Sequence, residues 1–159
     1  TGFRDVIEVD GKPVHDRLES LNWQHGYHGD RQVSIFMTGS AGMSRMQSLM
    51  KTLRTAPPKS LRGIAVKQIR DYSNLTVTSR TGPPKALDAP AGDMVILDLT
   101  EEGHFVAVRP SGTEPKVKFY LFTFTAAEQL HLLEMAREES NERLAQIEAD
   151  LRKFADDIK

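Results

Sequence analysis

The sequence predicts an α+β domain: a mainly antiparallel sheet of about four or more strands packed with two main helices. Three observations lead there. Apolar residues recur at helical spacing in two stretches, 43–53 and 144–158. Between them, short stretches alternate apolar and polar residues with the period of two that a half-buried strand requires. Read in order, the elements run strand, helix, strands, hairpin, loop, strand, helix.

Asp10 and Gly11 form a turn or cap ahead of a short helix from Pro13 to about His25, where Val14, Leu18, Leu21 and Trp23 mix with charges. Trp23 is expected to pack. HGYHGD ends that helix, and RQVSIFMT follows as a strand in which Val33, Ile35 and Met37 alternate. In GSAGMSRMQSLMKTLRTAPP, Met43, Met46, Met50 and Leu53 share one helical face, expected to fill the core, while Arg45, Lys51 and Arg54 lie off it. Pro57 and Pro58 stop this helix.

GIAVKQIRDY is a second strand, and SNLTVTSR continues it or turns back beside it. Residues 81–93, TGPPKALDAPAGD, are the densest in turn formers and make a loop. MVILDL, the turn TEEG and HFVAV form a hairpin. KVKFYLFTF is a further strand, with Val117, Phe119 and Leu121 on one face and Lys116, Lys118 and Tyr120 on the other. Arg109 and Lys118 therefore flank one tight loop. The last helix carries Leu144, Ile147, Leu151, Phe154 and Ile158 as a stripe, with Glu139–Arg143 and Glu148–Arg152 at ion-pair spacing. REESNER interrupts the stripe and is expected to mark a bend or a solvent crossing.

Composition sets the bounds. The chain has 159 residues, 39% hydrophobic and 27% charged, enough for one domain with a core of its own, or a small domain with an appended segment. Net charge is −1, so no global positive field draws a nucleic acid, and an anion site has to be a local cluster. The absence of cysteine removes disulfides and thiolate zinc sites and is compatible with a reducing compartment. A cytoplasmic location is the expectation. No apolar run approaches the ~18 residues of a membrane helix and no leader is evident, so neither a membrane nor a nucleic acid is an expected partner. The chain opens at Thr1, not Met, and is expected to be a piece of a longer protein.

The stretch RPSGTEPKVKFY, residues 109–120, has the chemistry to hold a phosphate. Arg109 offers a planar fork for two oxygens. Ser111 and Thr113 add hydroxyl donors; Gly112 permits a positive φ and leaves the backbone N–H groups approachable. Pro110 and Pro115 restrict the ends of the loop, and Lys116 and Lys118 can reach the same anion as point charges. Glu114 would repel a phosphate and is expected to turn toward a neighbouring cation or toward sugar hydroxyls. The same residue types also make ordinary turns between antiparallel strands, with lysines on a solvated face.

RPSGTEPKVKFY resembles, nearly letter for letter, the phosphate-binding loop in the last domain of the α-D-phosphohexomutases, the phosphoglucomutase and phosphomannomutase superfamily. Residues 38–72, TGSAGMSRMQSLMKTLRTAPPKSLRGIAVKQIRDY, resemble the opening of that domain in the subgroup of phosphoglucomutase-2 and phosphopentomutase-like enzymes. The resemblance implies that residues 1–27 are the end of a preceding domain with its connecting helix, and that 28–159 form the C-terminal phosphate-binding domain, with a fold like the TATA-binding protein. It further implies an isomerase of carbohydrate metabolism that interconverts sugar 1-phosphate and 6-phosphate through a phosphoserine and a bisphosphate intermediate. Mg2+ and hexose 1,6-bisphosphate are implied for the full-length enzyme, with the phosphosugar and the upstream domains of the same chain as partners. By the family pattern Arg109, Ser111, Gly112 and Thr113 are the phosphate ligands. Lys118 stands where relatives carry a basic residue, usually arginine, and Lys116 is a helper.

No TASHNP-like serine loop, DGDGDR-like metal loop or GEESGH-like sugar loop occurs. The fragment is therefore expected to hold no catalytic or metal-binding residue and to be inactive alone. A stand-alone sugar-phosphate-binding or regulatory module is the alternative. His25, His28 and Asp30 are metal ligands by type, but a helix end with solvent-facing histidines explains them as well. His104 and His131 are expected in surface or satisfied structural roles. The final helix is expected to pack on the sheet rather than to pair with a partner.

Overall fold

The structure, a computed structural model, describes residues 8, 9 and 12–158. The turn expected at Asp10 and Gly11 lies outside the described residues. Strands β1 (Glu8–Val9) and β2 (Lys12–Pro13) pair antiparallel and lead into α1 (Val14–His25). Then follow β3 (Tyr27–Phe36), α2 (Gly42–Thr55), β4 (Ser60–Leu61), β5 (Ile64–Asp71), β6 (Thr76–Ser79), β7 (Lys85–Ala86), β8 (Val95–Leu99), β9 (Phe105–Pro110) and β10 (Lys116–Thr125). A short 3-10 turn, Ala127–Gln129, precedes α3 (Leu133–Asp156).

The main sheet has 8 strands in the order β3-β10-β9-β8-β5-β6-β7, with β4 paired to β5. Every pairing is antiparallel. This is the α+β architecture expected from the order of elements. SNLTVTSR turns back as β6 beside β5. The 81–93 stretch is not wholly loop, because Lys85 and Ala86 pair with β6.

Helices α2 and α3 cover one face of the sheet. Met46, Leu49, Met50 and Leu53 of α2, and Leu144, Ile147, Leu151 and Ala155 of α3, share one buried cluster with Val33, Val95, Leu97, Val106, Val108, Val117, Phe119 and Leu121. Each large side chain so buried contributes roughly 1.5–3 kcal/mol. A register shift between Val66 and Gln68 in β5 re-phases that strand. It puts Ile69 and Asp71 opposite the buried Leu97 and Val95, and Gln68 and Arg70 opposite Asp98 and Ile96.

Several expectations are corrected. Met43 is 49% exposed and does not belong to the core stripe. At that turn Gly42 faces the protein instead, where an added Cβ would lie 2.1 Å from the Met37 carbonyl oxygen. Trp23 is 45% exposed, and α1 has no buried residue. Gly26, at φ +92°, ends α1, but β3 starts at once at Tyr27, so HGYHGD is mostly strand. REESNER does not interrupt the last helix: α3 is continuous, and Ala136 and Ser140 carry its buried stripe toward the N-terminus. Small residues serve there because α3 crosses β3 closely. A Cβ on Gly29 would fall 1.8 Å from Ser140 Oγ, which shares a 2.6 Å hydrogen bond with Thr123 Oγ1.

Two ionic junctions tie the helices to the sheet. Arg31 of β3 reaches Glu148 of α3 at 3.2 Å, and Arg152 donates to the same carboxylate. Hydrogen bonds from Arg152 hold the Glu148 carboxyl below its ordinary range, against a smaller opposing effect of burial and with help from Arg31. At the other end Arg54 of α2 donates to Asp71 at 3.2 Å and is paired with Asp93. Burial pushes the Asp71 carboxyl up, but the hydroxyl and N–H of Ser73 together with Arg54 outweigh it and hold it below the usual value.

Two predictions follow from this packing. Gly29→Ala should cost about 1–3 kcal/mol by overpacking the crossing, and Ser140→Ala in the same chain should recover part of the loss. Urea denaturation of the single and double variants measures both, and additive costs would contradict the close crossing. Because the folded pKa of Asp71 is depressed, its contribution is present above the unfolded carboxylate value and is lost as pH falls through the folded one. Asp71→Asn should therefore lower stability at neutral pH by about 1–3 kcal/mol. The difference from the parent should shrink in acid; a gap that stays constant with pH would contradict the assignment.

Candidate functional site: an anion loop at the sheet end

The β9–β10 hairpin places the loop. Arg109 and Lys118 are directly paired in register, as are Pro110 and Val117 one step nearer the turn. Opposed residues in an antiparallel pair have Cβ atoms about 4.5–5.5 Å apart on the same face, and like charges so placed are destabilising. Neither cation has an ion-pair partner among the described residues. Arg109 is exposed and Lys118 half-buried.

The turn between them is closed by its own backbone. Ser111 N–H donates to the Lys116 carbonyl at 2.9 Å, and Lys116 N–H donates to the Glu114 carbonyl at 2.8 Å. The Pro115 carbonyl accepts from Met37 N–H at 2.7 Å, which ties the loop to the segment leading into α2. Among the described residues no backbone carbonyl accepts from the N–H of Gly112 or Thr113. A Cβ added at Gly112 would meet nothing within 4 Å, so open space lies beside this backbone. Gly112 does not use a positive φ, contrary to the expectation for this turn. Its contribution is the missing side chain.

Glu114 is paired with Lys116, whose ammonium also sits 5.2 Å from the centre of the Phe36 ring. This disposes of the discordant carboxylate and engages Lys116. Arg109, Ser111, Gly112, Thr113 and Lys118 are thus brought together at one sheet end, while the charge of Lys116 is already matched within the protein.

Residues dispersed in the sequence complete the surroundings. A cleft of about 830 Å3 is lined by Met46, Met50 and Arg54 of α2, by Tyr72, by Pro90 and Met94, and by Arg109, Ser111 and Gly112. The Arg54–Asp93 pair ties the 90–94 wall of this cleft to α2. No sequence pattern marked Tyr72, Asp93 or Met94 for this role, since they meet only through the long-range pairing of β5 with β8.

The histidines lie elsewhere. His28 packs against Phe124, with ring centres 4.7 Å apart. Among the described residues no group of three or more His, Asp or Glu side chains could hold a metal ion. His104 is buried rather than at the surface, with Nδ1 3.0 Å from the Glu102 carbonyl oxygen, while its Nε2 has no hydrogen-bond partner. None of the described helices is long and apolar enough to cross a membrane.

Residues 65–140 match the family model described as "Phosphoglucomutase/phosphomannomutase, C-terminal domain". A phosphoglucomutase of Staphylococcus haemolyticus is 32% identical over 120 residues, covering 75% of this chain and 22% of that protein. A phosphoglucomutase of Staphylococcus aureus is 36% identical over 126 residues, covering 75% of this chain and 21% of that protein. The chain thus spans about a fifth of the length of the curated relatives it matches. Residues 65–140 are thus similar to the C-terminal domain of the phosphoglucomutases and phosphomannomutases.

Proposed function

We propose that this chain supplies the substrate-phosphate clamp of a phosphohexomutase, with residues 28–159 as the clamp domain and 1–27 as the end of a preceding domain and its connecting helix. The observation that carries the reading is the directly opposed pair of Arg109 and Lys118, which lack a carboxylate partner among the described residues and bracket the open backbone of Gly112 and Thr113. A phosphate dianion would turn that repulsion into two charge-assisted contacts. The Arg109 fork, the hydroxyls of Ser111 and Thr113 and the free N–H groups of the loop would fill its remaining oxygens. Lys116 would act at longer range, since Glu114 already holds it.

In the full-length enzyme this loop would hold the phosphate that is not reacting. The reaction would be the interconversion of sugar 1-phosphate and sugar 6-phosphate through an upstream phosphoserine and a hexose 1,6-bisphosphate. The clamp must accept the sugar in two orientations, so gripping the phosphate common to both is the economical solution. Binding energy at that end orients the reacting end, so the clamp contributes to turnover as well as to affinity. The described residues offer no cluster fit for Mg2+, and no step is assigned to the ion in this chain. Lacking a serine loop and a metal loop, the fragment alone should be inactive.

The test is kinetic. Arg109→Ala in the full-length enzyme should lower kcat/KM about 10- to 100-fold, the equivalent of one charge-assisted hydrogen bond of roughly 1.5–3 kcal/mol. KM should rise and kcat fall together, with Arg109→Lys intermediate because a point charge replaces the fork. Unchanged kinetics would remove the clamp.

A further inference from the structure

The cleft beside the loop is larger than a phosphate alone requires, and part of its lining is apolar. At about 830 Å3 it falls in the range that encloses a drug-sized molecule. Met46, Met50 and Met94 with the ring of Tyr72 form an apolar wall, Gln47, Lys51, Arg54 and Asp93 line the rest of the cleft, and Arg109 and Ser111 lie at its edge toward the loop. Thioether sulfur is polarizable and makes favourable contacts with ring edges, so this wall suits an aromatic body.

We propose that the cleft is a binding site for phosphate monoesters with an aromatic body, the phosphate lying on the Arg109–Thr113 loop and the ring between Met46, Tyr72 and Met94. This rests on the clamp reading and extends it to a second ligand class. Such a ligand occupies the loop and so competes with the sugar phosphate, a means of inhibition that acts without touching the reacting centre. Gly92 provides a way to block the ring position alone. It lines the cleft, a Cβ there would meet nothing within 4 Å, and it does not use a positive φ.

Calorimetric titration of this chain with phenyl phosphate, methyl phosphate and inorganic phosphate tests the proposal. Phenyl phosphate should bind about tenfold or more tighter than methyl phosphate, and Gly92→Trp should bring that ratio near one with methyl phosphate affinity unchanged. Gly92→Leu serves as the second variant should tryptophan lower Tm. Equal affinities in the parent protein, or a phenyl preference that both variants leave intact, would overturn the aromatic site and leave the clamp standing. Failure of methyl and inorganic phosphate to bind, with phenyl phosphate still bound, would overturn the clamp and with it the shared site.

Discussion

Strand β10 is paired along both of its edges, with β3 from Lys116 to Thr125 and with β9 from Val117 to Phe122, and the rest of the structure depends on that double register. A slip of one residue would carry Val117, Phe119 and Leu121, all fully buried, to the opposite face. Each such side chain is worth roughly 1.5–3 kcal/mol. Setting Arg109 opposite Lys118 costs at most about 1 kcal/mol. Core packing therefore fixes the register with energy to spare, and the opposed cations are a consequence the fold can sustain. A loop whose geometry is set by the hydrophobic core does not need to be assembled by its ligand.

The helices reinforce the arrangement by lying on one face. The α3 crossing over Gly29, Thr123 and Ser140 brings small residues together at the far end of β10. At the near end, Gly42 at the start of α2 presses on Met37, and Met37 N–H is bonded to Pro115 of the loop. The loop is thus braced against a helix start, while the cleft lies between the later turns of α2 and the 90–94 segment. Asp71, Asp93 and Arg54 hold these parts at a fixed spacing.

Much of this was legible in the sequence, for identifiable reasons. The period-two pattern of β10 and the helical stripe of α3 reflect elements with one face buried and one exposed, where composition follows geometry. The RPSGTEP segment stood out because it gathers a cation, two hydroxyls, a glycine and two prolines in one short stretch. Met43 and Trp23 were misread because apolar type alone does not fix burial at the end of a helix, where neighbouring elements run out. Ala136 and Ser140 were missed because close helix–strand contact selects small residues, which carry no hydrophobic signal. The cleft was invisible for a different reason: Tyr72, Asp93 and Met94 are joined to α2 and the loop only by strand pairing over long separations.

The most direct measurement of the central claim is an amide-resolved NMR titration of this chain with glucose 6-phosphate, with glucose as the neutral control. Shifts should be confined to the amides from Arg109 to Lys118, led by Gly112 and Thr113, produced by the phosphate ester and absent with glucose. With a preformed but partial site, the dissociation constant should lie near roughly 1 mM. Shifts of equal size with glucose, or a loop that stays silent while amides elsewhere respond to the ester, would contradict it.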